Sequence, residues 1–234
     1  MVYGHRGARA EAPENTLVGF AYARSVGLEA VEFDVRMTRD RELVVIHDAT
    51  VDRTTDGQGA VAELTLAQVR ALDARAGFDA GPACQVPTLD EVLAAVGDLA
   101  AIEIEIKRDT AGRTPLVVES VLNTLATRAV AAQTVLASFH LDVLEQLRQS
   151  APEMTTGYIG RWDNAEFVNN AVSAGASRAN LQHTTSSADV ADTARSAGLA
   201  VVGWPCNSKQ EWELLAGWAV VGVTTDVPSL VLAL

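Results

Sequence analysis

Short runs rich in β-branched residues alternate with helix-length stretches along almost the whole chain. This alternation restricts the fold more than any other feature, because it calls for a parallel sheet covered by helices. Eight such runs begin near Val2, Ala30, Ala101, Thr134, Met154, Ser177, Ala200 and Ala219. Helical stretches between them include Asn15 to Ser25, Leu89 to Val96, Leu141 to Gln149 and Ser208 to Ala216. Eight strand-helix units within 234 residues predict one domain, residues 1–234, folded as a closed (β/α)8 barrel of the TIM type.

The second unit is more than twice as long as any other, so it carries an insertion. Residues 49–86 are predicted to form a small cap over the strand ends. Gly57, Gly59, Gly77, Gly81 and Pro82 punctuate that segment, and one short helical stretch runs near Leu66 to Leu72. The run Leu43-Val44-Val45-Ile46 follows Val31 to Val35 too closely for a parallel crossover, which needs about a dozen residues or more, so it must return antiparallel. A turn around Thr38 to Arg41 pairs Asp34 with Val45 and Glu32 with His47, which brings His47 back to the end of the sheet that holds both acids.

In Ala30-Val31-Glu32-Phe33-Asp34-Val35 the period of two puts the apolar side chains on one face and the acids on the other; Ile102-Glu103-Ile104-Glu105-Ile106-Lys107 repeats the device. In a parallel barrel the apolar face lies under the helices, so the charged face points into the mouth. Several carboxylates buried together need a cation. A hard divalent ion such as Mg²⁺ or Ca²⁺ meets that need, with Glu32, Asp34 and one of Glu103 or Glu105 as ligands. Lys107 and nearby arginines are the competing source of positive charge. Acids on exposed edge strands are the other reading, but such edges seldom carry so uniform a Val and Ile face.

His5-Arg6-Gly7 follows the first strand and His47-Asp48 the returning one. Two of only four histidines thus converge on the carboxylates, where neutral imidazoles suit proton transfer near pH 7. Arg6 offers the bidentate fork that a phosphate diester needs. His140 is expected at the rim and His183 in a structural role. Trp204, at a strand end, walls the pocket or stacks on substrate and is counted as binding. Thr88 and Glu91 read as a helix capping box, Asn15 or Thr16 as the cap of the first helix, and Asp226 as a cap of the last.

These residues resemble the glycerophosphodiester phosphodiesterases. The likeness spans nearly the whole chain through an ordered set: His5-Arg6-Gly7; Pro13-Glu14-Asn15-Thr16; Glu32-Phe33-Asp34; His47-Asp48; Arg53-Thr54-Thr55 with Gly57; Pro87-Thr88-Leu89 with Glu91; Glu105-Ile106-Lys107; Ser138-Phe139; Trp204 with Asn207; and Thr225-Asp226 with Pro228. The resemblance implies a metal-dependent hydrolase that converts a glycerophosphodiester and water to glycerol-3-phosphate and an alcohol. It implies His5 and His47 as the acid-base pair, Glu32, Asp34 and Glu105 as metal ligands, Arg6 as a phosphate contact and Lys107 as a positive side chain at the site. Two departures stand out. Glu103 occupies a position where the family usually has Asn, and Pro205-Cys206 replaces the commoner Thr and Val between Trp204 and Asn207.

Two other functions compete. A phospholipase D-like relative acting on lysophospholipids or sphingomyelin resembles secreted, disulfide-closed toxins, whereas Cys84 and Cys206 form no evident pair and no export signal leads the chain. A non-catalytic phosphoester-binding barrel would have lost a histidine or an acid. With 18 Lys and Arg against 30 Asp and Glu, the net charge of −12 argues against nucleic acid as a partner. No apolar run approaches the roughly 18 residues of a membrane span, so the protein is expected to be cytoplasmic, with a small glycerophosphodiester as its partner.

Overall fold

The apolar faces of the strands account for the core. Val31, Phe33 and Val35 on one strand and Ile102, Ile104 and Ile106 on the next are fully buried, facing outward under the helices. A computed structural model describes residues 1–75, 77–78, 83–160 and 165–234. The chain runs β1 (Val2–His5), α1 (Leu17–Ser25), β2 (Ala30–Met37), β3 (Leu43–Val45), α2 (Leu66–Arg70), α3 (Leu89–Val96), β4 (Ala101–Ile106) and α4 (Thr114–Arg128). It continues through β5 (Thr134–Ser138), α5 (Leu141–Ser150), β6 (Thr155–Gly160), α6 (Ala165–Ser173), β7 (Arg178–Gln182) and α7 (Ala188–Ser196). The last units are β8 (Ala200–Trp204), α8 (Lys209–Gly217), β9 (Gly222–Thr225) and α9 (Pro228–Val231).

Strand order is β1-β9-β8-β7-β6-β5-β4-β2, all parallel, and β1 pairs with β2 to close the ring. This is the expected (β/α)8 barrel. The last strand starts at Gly222 rather than near Ala219, because Ala219 is left-handed (φ 52°) in the turn that follows α8.

β2 is long enough to serve two partners on one edge. Its first half pairs with β1 and its end, Val35–Met37, pairs antiparallel with β3. The hairpin register differs from expectation by one residue: Val35, not Asp34, faces Val45. The cause is a three-residue loop with Arg41 left-handed at φ 69°, closed by Arg41 N–H to Thr38 O at 3.1 Å and Thr38 N–H to Glu42 O at 2.9 Å.

From β3 to the start of α3 the chain buries a second apolar cluster of Val44, Ile46, Val51, Val61, Val69, Ala74, Cys84 and Val86. Gly81 and Pro82, named above as punctuation of this segment, lie outside the described residues. Thr88 and Glu91 form the capping box of α3, with Thr88 N–H donating to Glu91 Oε2 at 2.9 Å. Thr16 caps α1, its hydroxyl accepting from Gly19 N–H at 3.0 Å.

Candidate active site

Parallel pairing sets Asp34 opposite Glu105 and Glu32 opposite Glu103, so the charged face of β2 and β4 lines the barrel interior at two levels. Glu32, Asp34 and Glu105 are buried and each offers an oxygen within 4.8 Å of the others. Positive charge is close but limited. Lys107 Nζ lies 2.9 Å from Asp34 Oδ1 and 2.5 Å from Glu105 Oε1, and Arg6 Nε is 3.2 Å from Asp34 Oδ2. Asn15 Nδ2 donates to Asp34 Oδ2 at 2.9 Å.

Burial alone would raise the Asp34 carboxyl, but Lys107 and Arg6 hold it well below the usual carboxylate range. The same two cations do not suffice for its neighbours. Burial, then the charges of Asp34 and Glu105, push Glu32 well up, and burial against incomplete compensation by Lys107 pushes Glu105 up to about 7. The cluster is therefore short of positive charge. Its hard oxygen donors fit a divalent cation, and Glu32, Asp34 and Glu105 are the residues that could hold one.

Glu103 stands apart from this group. Its Oε1 accepts from Asn180 Nδ2 and its Oε2 lies 3.7 Å from Arg178 Nη1, which donates to the Tyr3 hydroxyl at 2.9 Å. Burial raises its carboxyl to about 7, against the opposing pull of Arg178. Its charged partner is Arg178, not Lys107.

Each candidate histidine is backed by a carboxylate. His5, opposite Glu32 in the β1–β2 register, has Nδ1 2.5 Å from Asp226 Oδ1 and Nε2 3.8 Å from Glu32 Oε2. His47 Nδ1 lies 2.6 Å from Asp48 Oδ1. Burial lowers both imidazoles, with Asp226 and Arg6 acting in opposite senses on His5, and Asp34 and Lys107 in opposite senses on His47. An ionised carboxylate only accepts, so Nδ1 donates and Nε2 is left as the nitrogen open to proton transfer.

The turn that carries Arg6 is fixed by backbone of an unusual kind. Arg6 (φ 52°) and Asn15 (φ 56°) are both left-handed, and Asn15 N–H donates to Arg6 O at 2.9 Å. Such conformations cost roughly 1–2 kcal/mol each and persist where the surroundings demand them. Arg6 Nη1 donates to Glu14 Oε1 at 2.9 Å, and Arg53 spans Glu14 and Asp48 at 2.8 and 2.6 Å.

A cavity of about 670 Å³ opens at this end of the barrel, and His5, His47, Arg6, Glu32, Glu105 and Trp204 all line it. Trp204 meets Phe139 edge to face, centroids 5.9 Å apart, and its indole N–H donates to Asn180 O at 3.2 Å. Lys107 lies behind Asp34 and Glu105, 5.9 Å from the Phe139 ring centroid. His140 is exposed at the start of α5, and His183 Nε2 sits 3.3 Å from Glu211 Oε1.

Sequence reasoning missed four residues of this constellation. Glu14 and Asn15 read as part of a helix start, yet they hold Arg6 and Asp34. Asp226 does not cap α9; it binds His5, Arg9 and Asn207. Asn180 alternates with Ala179 and Leu181 alongside Arg178 and Gln182, a period of two that marks an inward face but not the partner Asn180 meets across the barrel.

Comparison with known proteins finds relatives along the whole chain. A glycerophosphodiester phosphodiesterase of Caldanaerobacter subterraneus subsp. tengcongensis is 30% identical over 236 residues, covering 100% of this chain and 97% of that protein. The crystal structure of a glycerophosphodiester phosphodiesterase from Agrobacterium tumefaciens superposes with a TM-score of 0.85 at 28% identity, over 100% of this chain and 99% of that one. An Oleispira antarctica phosphodiesterase, solved in complex with the product sn-glycerol-3-phosphate, shares the fold with a TM-score of 0.89 over 98% of this chain and 94% of that one, at 23% identity. Residues 5–230 match the model of one enzyme family, a span that starts at the first candidate histidine and ends inside α9. The chain belongs to the glycerophosphoryl diester phosphodiesterase family.

Proposed function

We propose that this protein hydrolyses glycerophosphodiesters to glycerol-3-phosphate and an alcohol, with Mg²⁺ or Ca²⁺ held by Glu32, Asp34 and Glu105 and with His5 and His47 as the acid-base pair. One observation carries the reading: two carboxylate-backed imidazoles line a single cavity with Glu32 and Glu105, which form a charge-deficient cluster with the buried Asp34. The product bound by the Oleispira antarctica enzyme supports glycerol-3-phosphate as the product here.

The cation, when bound, supplies Lewis-acid stabilisation of the charge that grows on the phosphoryl oxygens. Arg6, fixed by Glu14 and Asp34, presents its guanidinium to the phosphate. Lys107 sets the two carboxylates it bridges and adds positive charge behind them. One imidazole removes the nucleophile's proton through Nε2 while the other protonates the departing alkoxide. The nucleophile is water, or the substrate's neighbouring glycerol hydroxyl by way of a cyclic phosphate that water then opens. Trp204 walls the pocket, and residues 49–86 act as a cap, since Arg53 from that segment reaches the cavity. The two free, buried thiols support a reducing, cytoplasmic setting for turnover of lipid-derived glycerol esters.

The test is hydrolysis of glycerophosphocholine with and without chelator, by wild type and His47→Ala. Near-complete loss is expected in both the chelated and the mutant samples, with circular dichroism unchanged. Full activity in EDTA rejects the metal. Preference for lysophosphatidylcholine over glycerophosphocholine moves the assignment to a phospholipase D-like enzyme.

A further inference from the structure

Glu103 is the buried acid for which the proposed chemistry has no use. It is 2% exposed and lines the cavity floor beside Asn180, which is 3% exposed. Once Asn180 Nδ2 has donated to Glu103 Oε1, two buried acceptors remain without a hydrogen bond, Glu103 Oε2 and Asn180 Oδ1. Both residues line the cavity, and Gly157 leaves room beside the amide: a Cβ there would stand 3.4 Å from Asn180 Oδ1 and from Ala137 Cβ alike. Buried acceptors of this kind are normally paired, so their partner must bring donors. A diester's phosphoryl oxygens are acceptors only and cannot serve. Nor can a trimethylammonium head group, which carries no polar hydrogen. Hydroxyls can, because each donates and accepts at once, and Glu103 Oε2 stands 3.7 Å from the Arg178 guanidinium.

We propose that Glu103 and Asn180 form the acceptor pair that binds the hydroxyls of the substrate's glycerol moiety, which makes Glu103 a specificity-determining residue of this enzyme. The variable head group then lies toward the mouth, among Arg9, Arg53 and His47. This inference rests on the function proposed above. It also gives this carboxylate a task separate from holding the cation.

Direct binding tests it without reliance on turnover. Isothermal titration calorimetry in Mg²⁺ or Ca²⁺ compares sn-glycerol-3-phosphate with propyl phosphate, the same ester without its two free hydroxyls. At pH 8.5, where the Glu103 carboxyl is ionised, wild type is expected to bind glycerol-3-phosphate at least about tenfold more tightly, the span of a hydrogen bond to a charged acceptor. Glu103→Gln, which turns an N–H₂ toward the hydroxyls, should reduce that preference to about twofold, and Asn180→Ala should reduce it as well should Glu103→Gln fail to fold. A wild type that binds the two esters equally, or variants that keep the wild-type preference, overturn the proposal while leaving the hydrolase reading intact. A loss of affinity equal for both esters also overturns it, because it marks Glu103 as a residue of the cation site. A wild type that turns over no glycerophosphodiester with either cation sinks the hydrolase reading, and this one with it.

Discussion

Asp226 Oδ1 lies 2.5 Å from His5 Nδ1, so the residue that follows the last barrel strand orients the imidazole that ends the first. Ring closure makes this contact possible, since β1 and β9 are neighbours only in a sealed barrel. Asp226 is itself held by Asn207 Nδ2 at 2.8 Å and Arg9 Nε at 3.1 Å. Asp226→Asn keeps the shape but removes the charge that fixes the His5 tautomer. The expected result is a fall in kcat of about 10²-fold or more with KM little changed, measured on glycerophosphocholine. A kcat within threefold of wild type would show that His5 needs no orienting partner.

Cation binding should be visible in stability as well as in activity. Lys107 and Arg6 leave Glu32 and Glu105 with raised carboxyls, so an added dication relieves repulsion present only in the folded state. At a hundredfold excess over Kd the linkage is worth about 2.7 kcal/mol, which in a chain of this length moves Tm by roughly 5–10 °C. Scanning calorimetry of wild type with added Mg²⁺ or Ca²⁺ checks this. Glu105→Gln should abolish most of the shift, and an equal shift in that variant would place the ion elsewhere.

How much of this site a reader of the sequence can see depends on the range of the interaction. The period of two in Ile102–Lys107 is local, and it correctly puts the apolar face in the core and Glu105 in the mouth. His47 lines the cavity although the hairpin is one residue out of register, a slip that turns a strand side chain to the other face, because β3 ends at Val45 and His47 lies beyond it. Partners set by closure or by distant loops are another matter. Asp226 meets His5 across 221 positions, and Glu103 meets Asn180 across 77. In each case a local explanation, a helix cap or an unremarkable polar strand residue, competes with the real one. Asn15 shows the same conflict at short range: it sits beside the true cap, Thr16, but its left-handed backbone turns the amide toward Asp34.

The turn that presents His5 and Arg6 depends on the absence of a side chain at Gly4. A Cβ there would stand 2.1 Å from Gly7 O and 2.6 Å from Leu28 Cδ1. The first obstacle is backbone, so no rotamer change relieves it, and the Gly7 N–H to Gly4 O bond of 3.2 Å must break. Gly4→Ala is expected to destabilise by about 3 kcal/mol, lowering Tm by roughly 6–12 °C, and to reduce activity by displacing both site residues. Thermal unfolding followed by circular dichroism measures the first effect. A Tm within about 2 °C of wild type would mean that the turn rearranges at little cost.

Glu14 allows the site's electrostatics to be read through pH without touching a candidate metal ligand. Burial would raise its carboxyl, but Arg53 and Arg6 together hold it below its ordinary value of 4.5. A carboxyl lowered by folding stabilises the protein above its unfolded pKa, and that contribution is lost as the pH falls through the lower folded value. At pH 7 Glu14→Gln should therefore cost about 2 kcal/mol, the order expected for hydrogen bonds to charged groups. As the pH is lowered from about 5 toward 3, wild type loses the carboxylate that the variant never had. Urea unfolding of both proteins at pH 7, 5 and 3.5 should show the gap narrowing at the acid end. A gap that stays constant over that range would assign the cost to lost shape, not to charge, and would leave Arg6 anchored by Asp34 alone.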